Sequence, residues 1–166
     1  MNVYEIIKSK DIYHVAGISG LSNGIDIYQK EPVYGTLTAG MHEIIGDYIG
    51  GSCPAISGEM RTILLQFAPD LYTKRIHVAY AKNIRQKKSY WFCQPKIINA
   101  LHEKTIPNIY GDVKHPVLKE KEVRYAPVIS VIGLDCRRWF VSLAVAECLI
   151  RHHIIGLDLK EMEVFE

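Results

Sequence analysis

No apolar stretch of this chain approaches the roughly 20 consecutive residues that cross a bilayer. At its start, residues 1–8 place Glu5 where a secretion signal would build its apolar centre. Both absences direct expectation to the cytoplasm, with no membrane partner. Charge of one sign is also lacking: 20 Lys and Arg against 18 Asp and Glu leave a formal net charge of +2. Such a balance neither demands a nucleic acid nor mimics one, so no direct nucleic-acid contact is expected. Cysteine is scarce: Cys53, Cys93, Cys136 and Cys148 include no CxxC pair. Cys93 and Cys148 lie among apolar neighbours, as reduced buried thiols do.

Chemical constellations are missing as well. The histidines His14, His42, His77, His102, His115, His152 and His153 contain no i, i+4 pair with a nearby carboxylate, the spacing a helical metal site wants. His152 and His153 are adjacent, so they face different ways and suit a helix C-terminus, where cations meet the dipole. Gly17, Gly20 and Gly24 fit neither GxGxxG nor a P-loop, and no cofactor is expected. Cys53, in Gly-Gly-Ser-Cys-Pro, stands close to a helix start at Ser57, which lowers a thiol pKa. No base accompanies it. The chain is read as a non-enzyme, with a minor activity through Cys53 or a histidine as the alternative.

What is present is a repetition. Ile56-Ser57 opens an apolar-faced segment to Phe67, followed by a strand pattern over 75–81. Val141-Ser142, 85 positions further on, opens a second such segment, followed by Gly156 and an apolar strand to Phe165. In the first, Met60, Ile63, Leu64 and Phe67 share one helical face, and Pro69 stops the helix. In the second, Ala144 or Val145, Cys148 and Leu149 are expected inside. A serine before the first turn accepts a hydrogen bond from a free helix N–H, so Ser57 and Ser142 are expected as N-caps over a shared sheet.

Other elements follow from local signals. Strands are expected over 2–7, 12–18, 32–38, 126–132 and 138–141, a glycine loop leads to Ile25–Tyr28, and 39–48 carries helical spacing over few residues. Residues 83–88 read as a basic turn before the β-prone strand 89–93. Arg85, Lys87 and Lys88 beside Tyr90 and Trp91 suit a phosphate backbone in kind. Three charges give little drive, however, and a solvated hairpin tip is the expectation. Pro95 is expected to open a short helix with Ile97, Ile98 and Leu101. Residues 103–124 form the longest irregular stretch. In the last strand Leu157 and Leu159 fall out of phase with Met162 and Val164, which predicts a bulge near Lys160 and Glu161.

The pattern predicts an α+β fold: one mixed, largely antiparallel sheet with two or three Ser- or Pro-started amphipathic helices packed on it. The length suits a single domain, 1–166, divisible into a β-rich part, 1–50, and the repeated helix–strand part, 56–166. Trp91 and Trp139 lie in β-prone runs and are expected in the core.

The order of features over 56–166 resembles that of the DUF1629/Imm11-type and neighbouring small α+β immunity proteins of bacterial polymorphic toxin systems. The ending Val141-Ser142, helix, Gly156-Leu157-Asp158-Leu159 carries the resemblance. It implies a cytosolic protein that binds one cognate secreted toxin domain and neutralises it by covering its active site. A toxin-loading adaptor or chaperone without inhibition is the alternative. Ten tyrosines and two tryptophans suit an interface of this kind. Irregular segments present side chains to a partner most readily. The expected contacts are therefore Tyr110, Asp112, Lys114 and His115, the glycine-rich loop at 19–24 with Asn23, and the turn with Arg85, Lys87 and Lys88. Tyr110 is the expected anchor, since an aromatic in a polar stretch has little core to join.

Overall fold

In a computed structural model, residues 1–9, 17–19, 30–38, 45–51, 54–80 and 83–166 are described. The expectations at 12–16, 20–28 and 39–44, with Asn23 and Cys53, lie outside the described residues. The described chain runs β1 (Val3–Lys8), β2 (Gly17–Ser19), β3 (Val33–Thr38), β4 (Tyr48–Ile49), β5 (Ala55–Ile56), α1 (Gly58–Phe67), β6 (Tyr72–Tyr80) and β7 (Asn83–Gln94). It continues through β8 (Lys96–Ile98), β9 (Val117–Lys119), α2 (Glu120–Val123), β10 (Val128–Val131), β11 (Trp139–Ser142), α3 (Leu143–Arg151) and β12 (Leu157–Phe165). The fold is α+β, with seven of the ten described strand pairings antiparallel.

There are two sheets where one was expected. The first has the order β8-β10-β11-β1-β12-β9 and the second β2-β3-β6-β7-β5-β4. The repetition seen in the sequence reappears as a shared pairing plan. In the second sheet α1 connects β5 to β6, and β7 lies between them, antiparallel to both. In the first sheet α3 connects β11 to β12, and β1 lies between them in the same way. The outer neighbours also correspond: β3 is parallel to β6 as β9 is to β12, and β4 is antiparallel to β5 as β10 is to β11. The central strand differs in origin. β7 follows β6 along the chain, whereas β1 comes from the N-terminus.

The two helices therefore share a core and not a sheet. Met60, Ile63 and Leu64 of α1 and Val145, Ala146 and Leu149 of α3 are buried together with Ile6, Ile56, Cys93, Trp139 and Val141. Cys148 is half-buried and Ala144 exposed, so Val145 is the inward residue of that pair. Trp91 packs half-buried against the same core. Ser57 caps α1, its hydroxyl accepting from Met60 N–H at 3.2 Å. Ser142 holds the N-cap position of α3 in extended backbone, but its side chain makes no cap hydrogen bond.

Three local expectations are corrected. Residues 96–98 form an edge strand beside β10 and no helix starts at Pro95. β-branched Ile97 and Ile98 suit a sheet edge, and a proline at strand entry forfeits no ladder bond. No bulge occurs in β12, which pairs with β1 without a shift from Val3↔Met162 to Lys8↔Leu157. The apolar phase changes because this sheet is covered on both faces: Leu157 and Leu159 face the helix-side core, Met162 and Val164 a second core with Val3, Phe140 and Leu118. Arg85, Lys87 and Lys88 belong to the strand β7 and not to a turn.

Candidate functional site: a tied surface loop

Between β8 and β9 the chain leaves the first sheet and returns to it, and hydrogen bonds close the neck of the excursion. His102 N–H donates to Val117 O at 2.8 Å. The Thr105 hydroxyl donates to the same carbonyl at 3.1 Å and accepts from Val117 N–H at 3.0 Å. The result is an Ω-shaped loop whose ends meet on a rigid sheet.

Asn108 organises its tip. The side-chain oxygen accepts from Tyr110 N–H and from Asp112 N–H, both at 2.9 Å. Its backbone N–H donates to Asp112 O at 2.8 Å, and its carbonyl accepts from Gly111 N–H at 2.9 Å. Gly111 completes the reversal at φ +84°, a conformation open to glycine at little cost. This local bonding leaves the apolar side chains outside: Ile106 is 83 %, Ile109 91 % and Tyr110 83 % exposed.

A third tie fixes the returning limb. Arg138, just before β11, donates through Nη1 to Val113 O at 2.5 Å. Through Nε and Nη2 it grips both carboxylate oxygens of Glu5 on β1, at 2.6 and 2.9 Å. Glu5 is buried in the sheet, and its carboxylate needs this charge beside it. The loop is thus held by the same group that satisfies a buried carboxylate. Near its end, His115 Nδ1 lies 3.5 Å from Lys160 Nζ on β12.

Of the residues expected from sequence, Tyr110, Asp112, Lys114 and His115 come together in this one loop, all exposed. Arg85, Lys87 and Lys88 lie on the other sheet. Ile106, Ile109, Asn108 and Arg138 were not singled out. The first three carried a legible signal, since Ile-Pro-Asn-Ile-Tyr-Gly-Asp sets apolar residues around an Asn/Gly turn. Arg138 carried none, because its partners are remote in sequence.

Burial pushes the Cys93 thiol up to about 12, which keeps it protonated and poorly nucleophilic. Asp135 is held below the usual carboxylate range, first by its side-chain bonds from Arg137, at an exposed turn. Among the described residues no group of three or more His, Cys, Asp or Glu converges as a metal site would require. Among them, too, no helix is long and apolar enough to cross a membrane. No protein-family model matches the chain, and no curated protein matches it significantly.

Proposed function

We propose that this is a cytosolic immunity protein, one that binds a cognate toxin domain through the loop at 105–116 and neutralises it by covering its active site. The observation that carries the reading is the exposure of Ile106, Ile109 and Tyr110 on a loop tied at neck, tip and limb. Large apolar side chains held in water gain free energy only when something covers them, and clustered ones mark interaction sites. Because the loop is already ordered, docking forfeits little conformational entropy. Tyr110 and Ile109 serve as the anchors that enter a pocket, and Asp112 and Lys114 make the polar rim. A blocking interface needs about 1,200–2,000 Å² in total, so flanking surface must contribute.

The test is growth of cells that express the cognate toxin domain together with this protein. Wild type is expected to protect. A double change, Ile109→Ala with Tyr110→Ala, is expected to abolish protection while leaving the thermal midpoint unchanged, since neither side chain is buried. Equal death with and without the protein overturns the reading. Death with the toxin nevertheless bound to the protein favours the loading-adaptor alternative.

A further inference from the structure

Strands β6 and β7 carry Lys74, Arg75, Arg85, Lys87 and Lys88, and β3, β6 and β7 contain no Asp or Glu. Two strands thus hold five of the chain's 20 basic residues, leaving 15 against 18 acidic ones elsewhere. The near-neutral whole conceals a basic sheet and an acidic remainder.

Register decides which side chains share a face. Ile76, Val78 and Tyr90 are buried in a core that the second sheet encloses. Their alternates point the other way: Tyr34 beside His77 beside Ser89, and Thr36 beside Ala79 beside Lys87. Next to these rows Arg75 pairs with Trp91. α1 covers the face only at its Trp91 end, where Gly58 lies against the indole. Among the described residues the rest is open, with a depression of ≈ 450 Å³ whose lining includes Tyr34, His77 and Lys87 and the small, paired Thr36 and Ala79.

The groups on this face are preset. Tyr34 is 68 % exposed, and its ring lies 5.6 Å from that of His77 at an interplanar angle of 31°. Arg75 donates to Ser89 Oγ at 2.8 and 3.0 Å and stacks 5.7 Å from the Trp91 ring. Arg61, from α1, stacks 5.5 Å from the same ring and donates to Thr73 Oγ1 at 3.0 Å. Among the described residues none of Arg61, Arg75 and Lys87 forms an ion pair with a carboxylate.

We propose that this open face binds single-stranded nucleic acid, independently of the docking loop on the other sheet. Phosphates pair with Arg75, Arg61 and Lys87, and a base stacks on Tyr34 over the small side chains of Thr36 and Ala79. An acidic protein segment would use the cations but has no need of an exposed ring beside small residues. A duplex hides the base faces that Tyr34 offers to receive. The expectation of no nucleic-acid contact rested on the near-neutral net charge and on a hairpin tip with three charges. The strand register instead turns Lys88 to the opposite face, beside Val78, and sets Arg75, Tyr34 and Trp91 on the face of Lys87, where α1 adds Arg61.

Fluorescence anisotropy of labelled oligo(U) and oligo(dT) of about 12 nucleotides tests this, with a duplex and a poly-glutamate peptide of similar length as competitors. Wild type is expected to bind the single strands, with affinity falling about 20- to 50-fold between about 50 and about 200 mM salt for three or four phosphate contacts. Tyr34→Ala is expected to lose about fivefold to a hundredfold, the usual effect of removing one stacking ring. Lys87→Gln is expected to weaken binding and reduce the log–log salt slope by about 0.7. Lys121→Gln on α2 serves as the remote control and is expected to bind as wild type. Both test positions are exposed, and unchanged circular dichroism excludes misfolding. No binding at about 100 µM protein in low salt overturns the proposal. So does binding that Tyr34→Ala and Lys87→Gln leave intact, or competition by duplex or poly-glutamate as strong as by single strands.

Discussion

Glu5 and Arg138 stand 133 positions apart and meet as a two-pronged ion pair, at 2.6 and 2.9 Å, with the carboxylate side chain only 7 % exposed. The same guanidinium holds Val113 O, so burial of a carboxylate in the sheet and placement of the loop at 105–116 depend on one residue. Arg138→Met removes both. Breaking a buried pair costs about 3–5 kcal/mol, and the partial exposure of Arg138 reduces that to about 2–3 kcal/mol. Urea denaturation should show this loss, and adding Glu5→Gln should recover part of it. Trypsin cleavage after Lys114 should quicken in the single variant. Unchanged stability and cleavage would remove the coupling.

The two helix starts predict a contrast. Ser57 accepts a hydrogen bond from Met60 N–H, and Ser142 makes no such bond. Ser57→Ala should lower stability by about 1 kcal/mol, and Ser142→Ala by less than about 0.5 kcal/mol. Equal losses at the two sites in chemical denaturation would contradict the capping difference.

Gly156 and Gly111 both have positive φ, at +97° and +84°. A Cβ at Gly156 would lie 2.5 Å from Tyr48 O, whereas one at Gly111 meets nothing within 4 Å. Gly111→Ala should therefore cost only the backbone strain, about 1 kcal/mol. Gly156→Ala adds a clash with fixed backbone and should cost about 3 kcal/mol or more. Thermal melts of the two variants check the order.

Stability should fall in alkali. Burial raises the Cys93 thiol from 9.0 to about 12 and, aided by Glu5, the Tyr48 hydroxyl from 10.0 to about 12. Burial also raises Tyr90, whose hydroxyl donates to Gly46 O at 3.0 Å. These groups stay neutral in the fold and ionise in the unfolded chain, so unfolding releases protons. Their contribution is whole below about pH 9 and declines above it, by up to about 1.4 kcal/mol per pH unit for each group. Urea midpoints measured from neutral to strongly alkaline pH should drop accordingly. A flat profile would show that these groups are not buried as described.

Local chemistry wrote the parts of this protein that depend on near neighbours. α1 follows from Ser57, the spacing of Met60, Ile63 and Leu64, and Pro69; α3 from Val145, Leu149 and the break at Gly156. The repeated helix–strand unit was legible for the same reason, and so was the irregular stretch around Tyr110. Which strand stands between β11 and β12 was not, because β1 arrives from the far end of the chain and pairing energy carries no sequence mark of its partner. That arrangement covers the first sheet on both faces, which makes the phase change at Leu159 and Met162 ordinary pleating and not a bulge. It also carries Glu5 to Arg138 and gives the loop at 105–116 its third tie. Likewise Ile97 and Ile98 became an edge strand when β10 offered unpaired carbonyls and N–H groups, a partner no window around Pro95 contains. The basic face of β3, β6 and β7 exists only as a register: its cations and rings lie on separate segments, and alternation along each strand sets them on one side.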